Sequence, residues 1–168
     1  MPIRKNEIII TGSNDKPILL DITFDQEAGK RPVIIYAHGF NGFKDWGNFD
    51  LIVRQFVTAG FTFIKFNFSH NGTSPEQPED FVDLEAFGEN NYTKELYDLE
   101  KVINWVYGKE QEEAAYIDTQ KTGLIGHSMG GGISILKTAE DSRIKALVTW
   151  AAISQCKTPW GSWTAEKM

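Results

Sequence analysis

The chain has 168 residues, and its 41% hydrophobic and 24% charged content is ordinary globular usage, so one folded domain is expected and disorder throughout is excluded. Seventeen Lys and Arg against 23 Asp and Glu give a net charge of −6, which argues against a nucleic-acid binder, since such proteins need a basic face. A single cysteine, Cys156, excludes an internal disulfide and a multi-cysteine zinc site and fits a reducing compartment.

Taken in chain order, Met1 to Glu7 carries a basic pair, Arg4-Lys5, with no long apolar stretch behind it, so no secretory signal is expected. No apolar run approaches the ~20 residues that span a bilayer. A soluble, cytoplasmic protein without membrane association is therefore expected. Glu7 to Ile10 and Ile18 to Phe24 read as an antiparallel strand pair around the turn cluster Thr11-Gly12-Ser13-Asn14-Asp15. Pro32 to Ala37 is a continuous apolar run, the mark of a strand buried on both faces. Asn48 to Ala59 reads as a helix with a stripe of Leu51, Ile52, Phe56 and Val57, and Gly60 ends it. Phe61 to Phe68 is the next strand. Ser69 to Phe87 reads as a loop, with Asn71-Gly72, two prolines and an acidic run that is most simply solvated.

Tyr92 to Lys109 is the longest expected helix, with Leu96, Leu99, Val102, Ile103 and Val106 on one face. Thr122 to Ile125 is a short buried strand, Met129 to Ala139 a helix, and Ile144 to Ile153 a last apolar strand. Alternating strands and helices predict an α/β fold with a mainly parallel sheet and helices on both faces. In such a sheet, sites form at the carboxyl ends of the strands.

Three strand ends carry the candidate residues. Gly126-His127-Ser128-Met129-Gly130 is a Gly-x-Ser-x-Gly pattern between a buried strand and a helix. A tight turn there pushes the Ser128 hydroxyl clear of the sheet and sets it at a helix N-terminus, where free N–H groups favour developing negative charge. His38-Gly39-Phe40-Asn41-Gly42 follows the strand that ends at Ala37. Its backbone can form an oxyanion hole, with the N–H groups of Phe40 and Met129 as donors. His38 reads as a histidine that orders this loop. Asn67 to Ser74 follows a third strand, and its His70 either belongs to a turn or lines the site.

Together, His38-Gly39-Phe40, then Phe66 to Ser74, then Gly126 to Gly131 resemble the α/β-hydrolase superfamily, in particular bacterial esterases of the dienelactone-hydrolase and feruloyl-esterase-like kind. The resemblance covers roughly residues 7 to 155. It implies the N-terminal portion of an α/β-hydrolase fold, with a nucleophilic Ser128, oxyanion donors at Phe40 and Met129, and His38, Gly39, His70 and His127 lining the site. It implies hydrolysis of an ester or related acyl bond through an acyl-enzyme, on a small-molecule acyl substrate and with no cofactor. Thioesterase or peptidase chemistry on the same fold is an alternative.

In that family the order is serine, acid, histidine along the chain. Here residues 129–168 contain no histidine, and the acids there are Glu140, Asp141 and Glu166. Asp141 precedes the last strand, at the wrong end of the sheet. His127 adjoins Ser128, where side chains on a tight turn diverge. A rearranged Ser128 pair with His38 or His70 is a further possibility. The sequence therefore predicts one α/β-hydrolase domain over 1–168 that lacks its last strands and helices, with 155–168 as the start of a cap segment. A companion C-terminal segment or second chain would bring the acid and the histidine. The alternative is a non-catalytic α/β-hydrolase-like module that keeps the elbow without the triad. There is no dinucleotide Gly-x-Gly-x-x-Gly, no P-loop and no metal-ligand spacing among the histidines at 38, 70 and 127.

Overall fold

Alternation of apolar side chains with polar ones pairs the two N-terminal strands. In the computed structural model, which describes residues 2–155, β1 (Ile3–Thr11) and β2 (Pro17–Asp25) run antiparallel from Ile3↔Asp25 to Thr11↔Pro17. Both are longer than the apolar pattern marks, because the backbone ladder continues past it through Arg4, Lys5 and Asn6. The link is a single 3-10 turn, Ser13–Asp15, in which Asn14 and Asp15 take φ of 51° and 58°. Asn and Asp enter that region more readily than most residues.

The central strands are β3 (Arg31–Ala37), β4 (Thr62–Asn67), β5 (Ile117–His127) and β6 (Ile144–Trp150). The described sheet has the order β1-β2-β4-β3-β5-β6. Pairings β3–β4, β3–β5 and β5–β6 are parallel, while β1–β2 and β2–β4 are antiparallel. β5 is far longer than the expected Thr122 to Ile125. Its polar first half still pairs with β3, across a register shift between Pro32 and Val33. Pro32 has no N–H to give the ladder, which is where a bulge is tolerated.

The helices are α1 (Phe49–Thr58), α2 (Leu84–Gly88), α3 (Tyr92–Tyr107) and α4 (Met129–Glu140). The short α2 falls inside the segment expected to be loop. Asp83 caps it by accepting from the Ala86 N–H at 2.9 Å. In α1 the buried stripe is Phe49, Val53 and Val57, whereas Leu51 is exposed. The stripe is therefore turned from the expected one, because Phe49 anchors the first turn against Tyr36 and Phe63.

One face of the sheet packs Ile22, Phe24, Ile35, Phe66 and Leu124 against α3 and α4. The other packs Tyr36, Phe63 and Ile125 against α1. Among the described residues β6 is the last strand of the sheet, and Val148 is 49% exposed there. No described helix is long and apolar enough to cross a membrane. The expectations on Cys156 and Glu166, and on all but the first residue of the cap segment 155–168, lie outside the described residues.

Candidate active site

β5 ends at His127 and α4 begins at Met129, so Ser128 alone makes the turn. Its φ of 53° and ψ of −116° are costly for a residue with a side chain, by roughly 1–3 kcal/mol, and persist only where neighbours over-determine them. The neighbours do so. The Ser128 N–H donates to the Trp150 carbonyl at 2.9 Å. Its own carbonyl accepts from the N–H groups of Gly131, Gly132 and Ile153 at 3.1, 3.2 and 3.1 Å. A Cβ at Gly126 would stand 2.6 Å from the Gly131 Cα, and one at Gly130 would collide with the Ala37 and His38 carbonyls. Both flanking glycines are thus required by close approach of backbone.

The second expected segment lies against this turn. A Cβ at Gly39 would be 2.9 Å from the Ser128 Cβ and 3.2 Å from the His127 carbonyl. The loop then folds back on itself, with Asn41 at φ 56° and the Gly42 N–H donating to the Gly39 carbonyl at 3.1 Å. Phe40 follows Gly39, and its half-exposed ring lies 5.4 Å from Phe87 at the end of α2. Met129 opens α4, so its N–H has no acceptor within the helix.

The three histidines differ. His38 is buried, its Nδ1–H donates to its neighbour Gly39 at 2.9 Å, and its Nε2 accepts a long 3.5 Å bond from the Phe68 N–H. Burial lowers its pKa to about 4, so it is a neutral imidazole that orders the loop. His70 is fully buried, with Nδ1 bonded to the Ser69 hydroxyl at 2.7 Å, and burial lowers its pKa also. His127 is exposed and borders, with Trp150, Phe43, Trp46 and Phe49, a largely apolar cavity of about 540 Å³. Asp141, at the end of α4, is bound by Arg143 at 2.7 Å, and that guanidinium holds its carboxyl below the usual range.

Sequence reasoning missed two pairs of buried polar side chains. On α3, Glu95 and Asp98 sit on the apolar face with Leu99 and Val102. Asp98 accepts from the N–H groups of Ser13 and Ser69 at 2.8 and 2.7 Å, tying the first turn to the end of β4. In the sheet, Asp21 and Lys65 are each 1% exposed. The available signal was a single charge inside an otherwise apolar run, Ile18 to Phe24 and Phe61 to Phe68. Among the described residues no group of three His, Cys, Asp or Glu side chains is arranged to hold a metal ion.

Comparison with known proteins gives a consistent picture. A family model described as the alpha/beta hydrolase fold matches residues 32–167. An uncharacterised 31.7 kDa Escherichia coli protein of the traX-finO intergenic region is 32% identical over 125 residues, covering 74% of this chain and 38% of its own length. A candidate esterase/lipase of Mycoplasma pneumoniae is 29% identical over 127 residues, covering 75% of this chain and 40% of its own. The crystal structure of a dienelactone hydrolase from Anabaena variabilis superposes with a TM-score of 0.69 at 14% identity, over 89% of this chain and 64% of that one. The chain therefore spans about two fifths of the curated relatives it matches.

Proposed function

The chain belongs to the alpha/beta-hydrolase fold family, and from that premise we propose that it carries the nucleophile of a serine hydrolase of the carboxylesterase type. The observation that carries the reading is the strained Ser128 turn, with Gly39 of the neighbouring loop packed against it. The esterase/lipase description of a Mycoplasma relative agrees with it. In this reading the Ser128 hydroxyl attacks the carbonyl carbon of an ester, and a histidine base takes its proton. The carbonyl oxygen becomes an oxyanion between the N–H groups of Phe40 and Met129. The C–O bond to the leaving group breaks, and the alcohol departs with the proton from the imidazolium. Water activated by the same histidine then hydrolyses the acyl-enzyme.

Among the described residues no histidine or carboxylate is hydrogen-bonded to the Ser128 hydroxyl, and that includes His127, whose ring also lies near Gly39. Both nitrogens of His38 and one of His70 have bonds elsewhere, and Asp141 is engaged by Arg143. We therefore assign the acid and the histidine to a polypeptide segment beyond residue 168. The reading is tested by exposing the full-length protein to a fluorophosphonate probe. Labelling of the wild type, and its loss in a folded Ser128→Ala variant, is expected. Labelling that survives in Ser128→Ala would contradict the assignment.

A further inference from the structure

The segment from Gly39 to Trp46 makes two turn bonds of its own, Gly42 to Gly39 at 3.1 Å and Trp46 to Phe43 at 3.3 Å. Something else must hold it beside Ser128. The antiparallel register of β2 and β4 sets Asp21 opposite Lys65, and the parallel register of β3 and β4 sets Tyr36 beside Lys65. A carboxylate and an ammonium thus meet inside the sheet, each 1% exposed. Burial of two charges is costly unless further hydrogen bonds satisfy them. The loop supplies the shorter of these bonds to Asp21 Oδ2, beside a 3.4 Å bond from Lys5 of β1 to the same atom, while Asp21 Oδ1 has no partner among the described residues. The Lys44 ammonium, 6% exposed, donates to Asp21 at 2.8 Å and to Asp45. The Lys65 ammonium donates to Asp45 at 2.5 Å and to Asp50, in the first turn of α1, at 2.5 Å.

The backbone is tied at the same place. The Lys44 N–H donates to Asn67 Oδ1 at 2.6 Å, and the Asn67 amide donates to Thr73 Oγ1 at 2.9 Å and the Pro78 carbonyl at 2.8 Å. The Asn71 amide donates to the Gly42 carbonyl at 3.2 Å. Burial works against the charge on Lys44, but Asp21 and Asp45 outweigh it and raise its pKa. Burial likewise opposes the charge on Asp45, and Lys44 and Lys65 outweigh it and lower its pKa. Lys44 and Asp45 therefore hold opposite charges across neutral pH.

We propose that Lys44 is a positioning residue: clamped by Asp21 and Asp45, it fixes the height of the Gly39–Phe40 backbone over Ser128 and so sets the oxyanion hole. The proposal rests on the reading of Ser128 as nucleophile. An oxyanion hole acts on the transition state and little on the bound ester, so its displacement lowers kcat and leaves KM. A merely structural cluster would move thermal stability alone.

The test uses the full-length protein, a p-nitrophenyl ester and a fluorophosphonate. Lys44→Met and Asp21→Asn should each lower kcat by ~10–100-fold with KM little changed, and fluorophosphonate inactivation should slow by the same factor. The double variant should lose no more than the worse single, because the pair acts as one unit. Should Lys44→Met fail to unfold cooperatively, Asp45→Asn, which removes one of the two carboxylates on Lys44, is read in the same way. A folded variant whose kcat stays within twofold of wild type, or whose loss lies in KM alone, overturns the positioning role while the Ser128 reading stands. Turnover that survives Ser128→Ala overturns the nucleophile assignment and the proposal together.

Discussion

At Ser128 a left-handed backbone is held by four hydrogen bonds, and the space for it exists because residues 126 and 130 have no side chain. The Gly-x-Ser-x-Gly pattern made this legible, since spacing and context both demand a tight turn. Restoring a methyl group tests the packing argument. Gly130→Ala drives a Cβ into the Ala37 and His38 carbonyls, so it should destabilise the protein by about 1–3 kcal/mol and disturb the loop that carries Phe40. Thermal unfolding would measure it, and an unchanged Tm would contradict the close approach. His38 bonds the Gly39 carbonyl and the Phe68 N–H, two backbone partners of which only the first is close in sequence. The Lys44 cluster was not legible, because its members are scattered from position 21 to position 65 and only sheet register brings them together.

Among the elements, α3 combines an apolar stripe with two buried carboxylates. The stripe was readable from its spacing, but the burial of Glu95 and Asp98 depends on what packs over them. Burial pushes the Glu95 carboxyl up to about 8, with Asp98 adding to the rise and the Asn90 amide opposing it. The folded protein therefore holds a proton on Glu95 between about pH 4.5 and 8 that the unfolded chain has released. This stability is fully present below the unfolded value and is lost as pH rises through 8, by at most about 5 kcal/mol. His38 acts with the opposite sign. Its folded pKa of about 4 lies below the unfolded 6.5, so it costs stability as pH falls through that window, by about 3 kcal/mol. The two oppose each other below pH 6.5, and Glu95 acts alone from there to pH 8. Glu95→Gln keeps the acceptor for Asn90 and removes the ionisation. It should raise Tm at pH 8 and change it little at pH 5, and an equal gain at both would contradict the buried acid. Element boundaries were less legible than element types. β1, β2 and β5 extend through polar residues because backbone pairing is indifferent to side chains, and α2 is too short for periodicity to reveal.

On the scale of the whole molecule, three adjacent strand ends converge on one edge of the sheet, as alternating strands and helices led one to expect. Parity along β6 leaves Ala146 and Val148 exposed and Trp150 half-buried on the face that α1 covers only in part. With the acid and histidine assigned to a further segment, we propose that the same segment covers this strand. Residues 1–168 expressed alone should then self-associate through β6, and Val148→Lys should reduce that association. Native mass measurement decides, since a soluble, cooperatively folded 19.0 kDa monomer would show that the edge needs no cover. Whether Ser128 forms an acyl-enzyme with its oxyanion held by Phe40 and Met129 is decided by a crystal structure of the full-length protein after phosphonate treatment. Phosphorus bonded to Ser128 Oγ is expected, with a phosphoryl oxygen ~2.7–3.1 Å from the backbone nitrogens of both Phe40 and Met129. An adduct on another residue, or one on Ser128 with both N–H groups turned away, would contradict it.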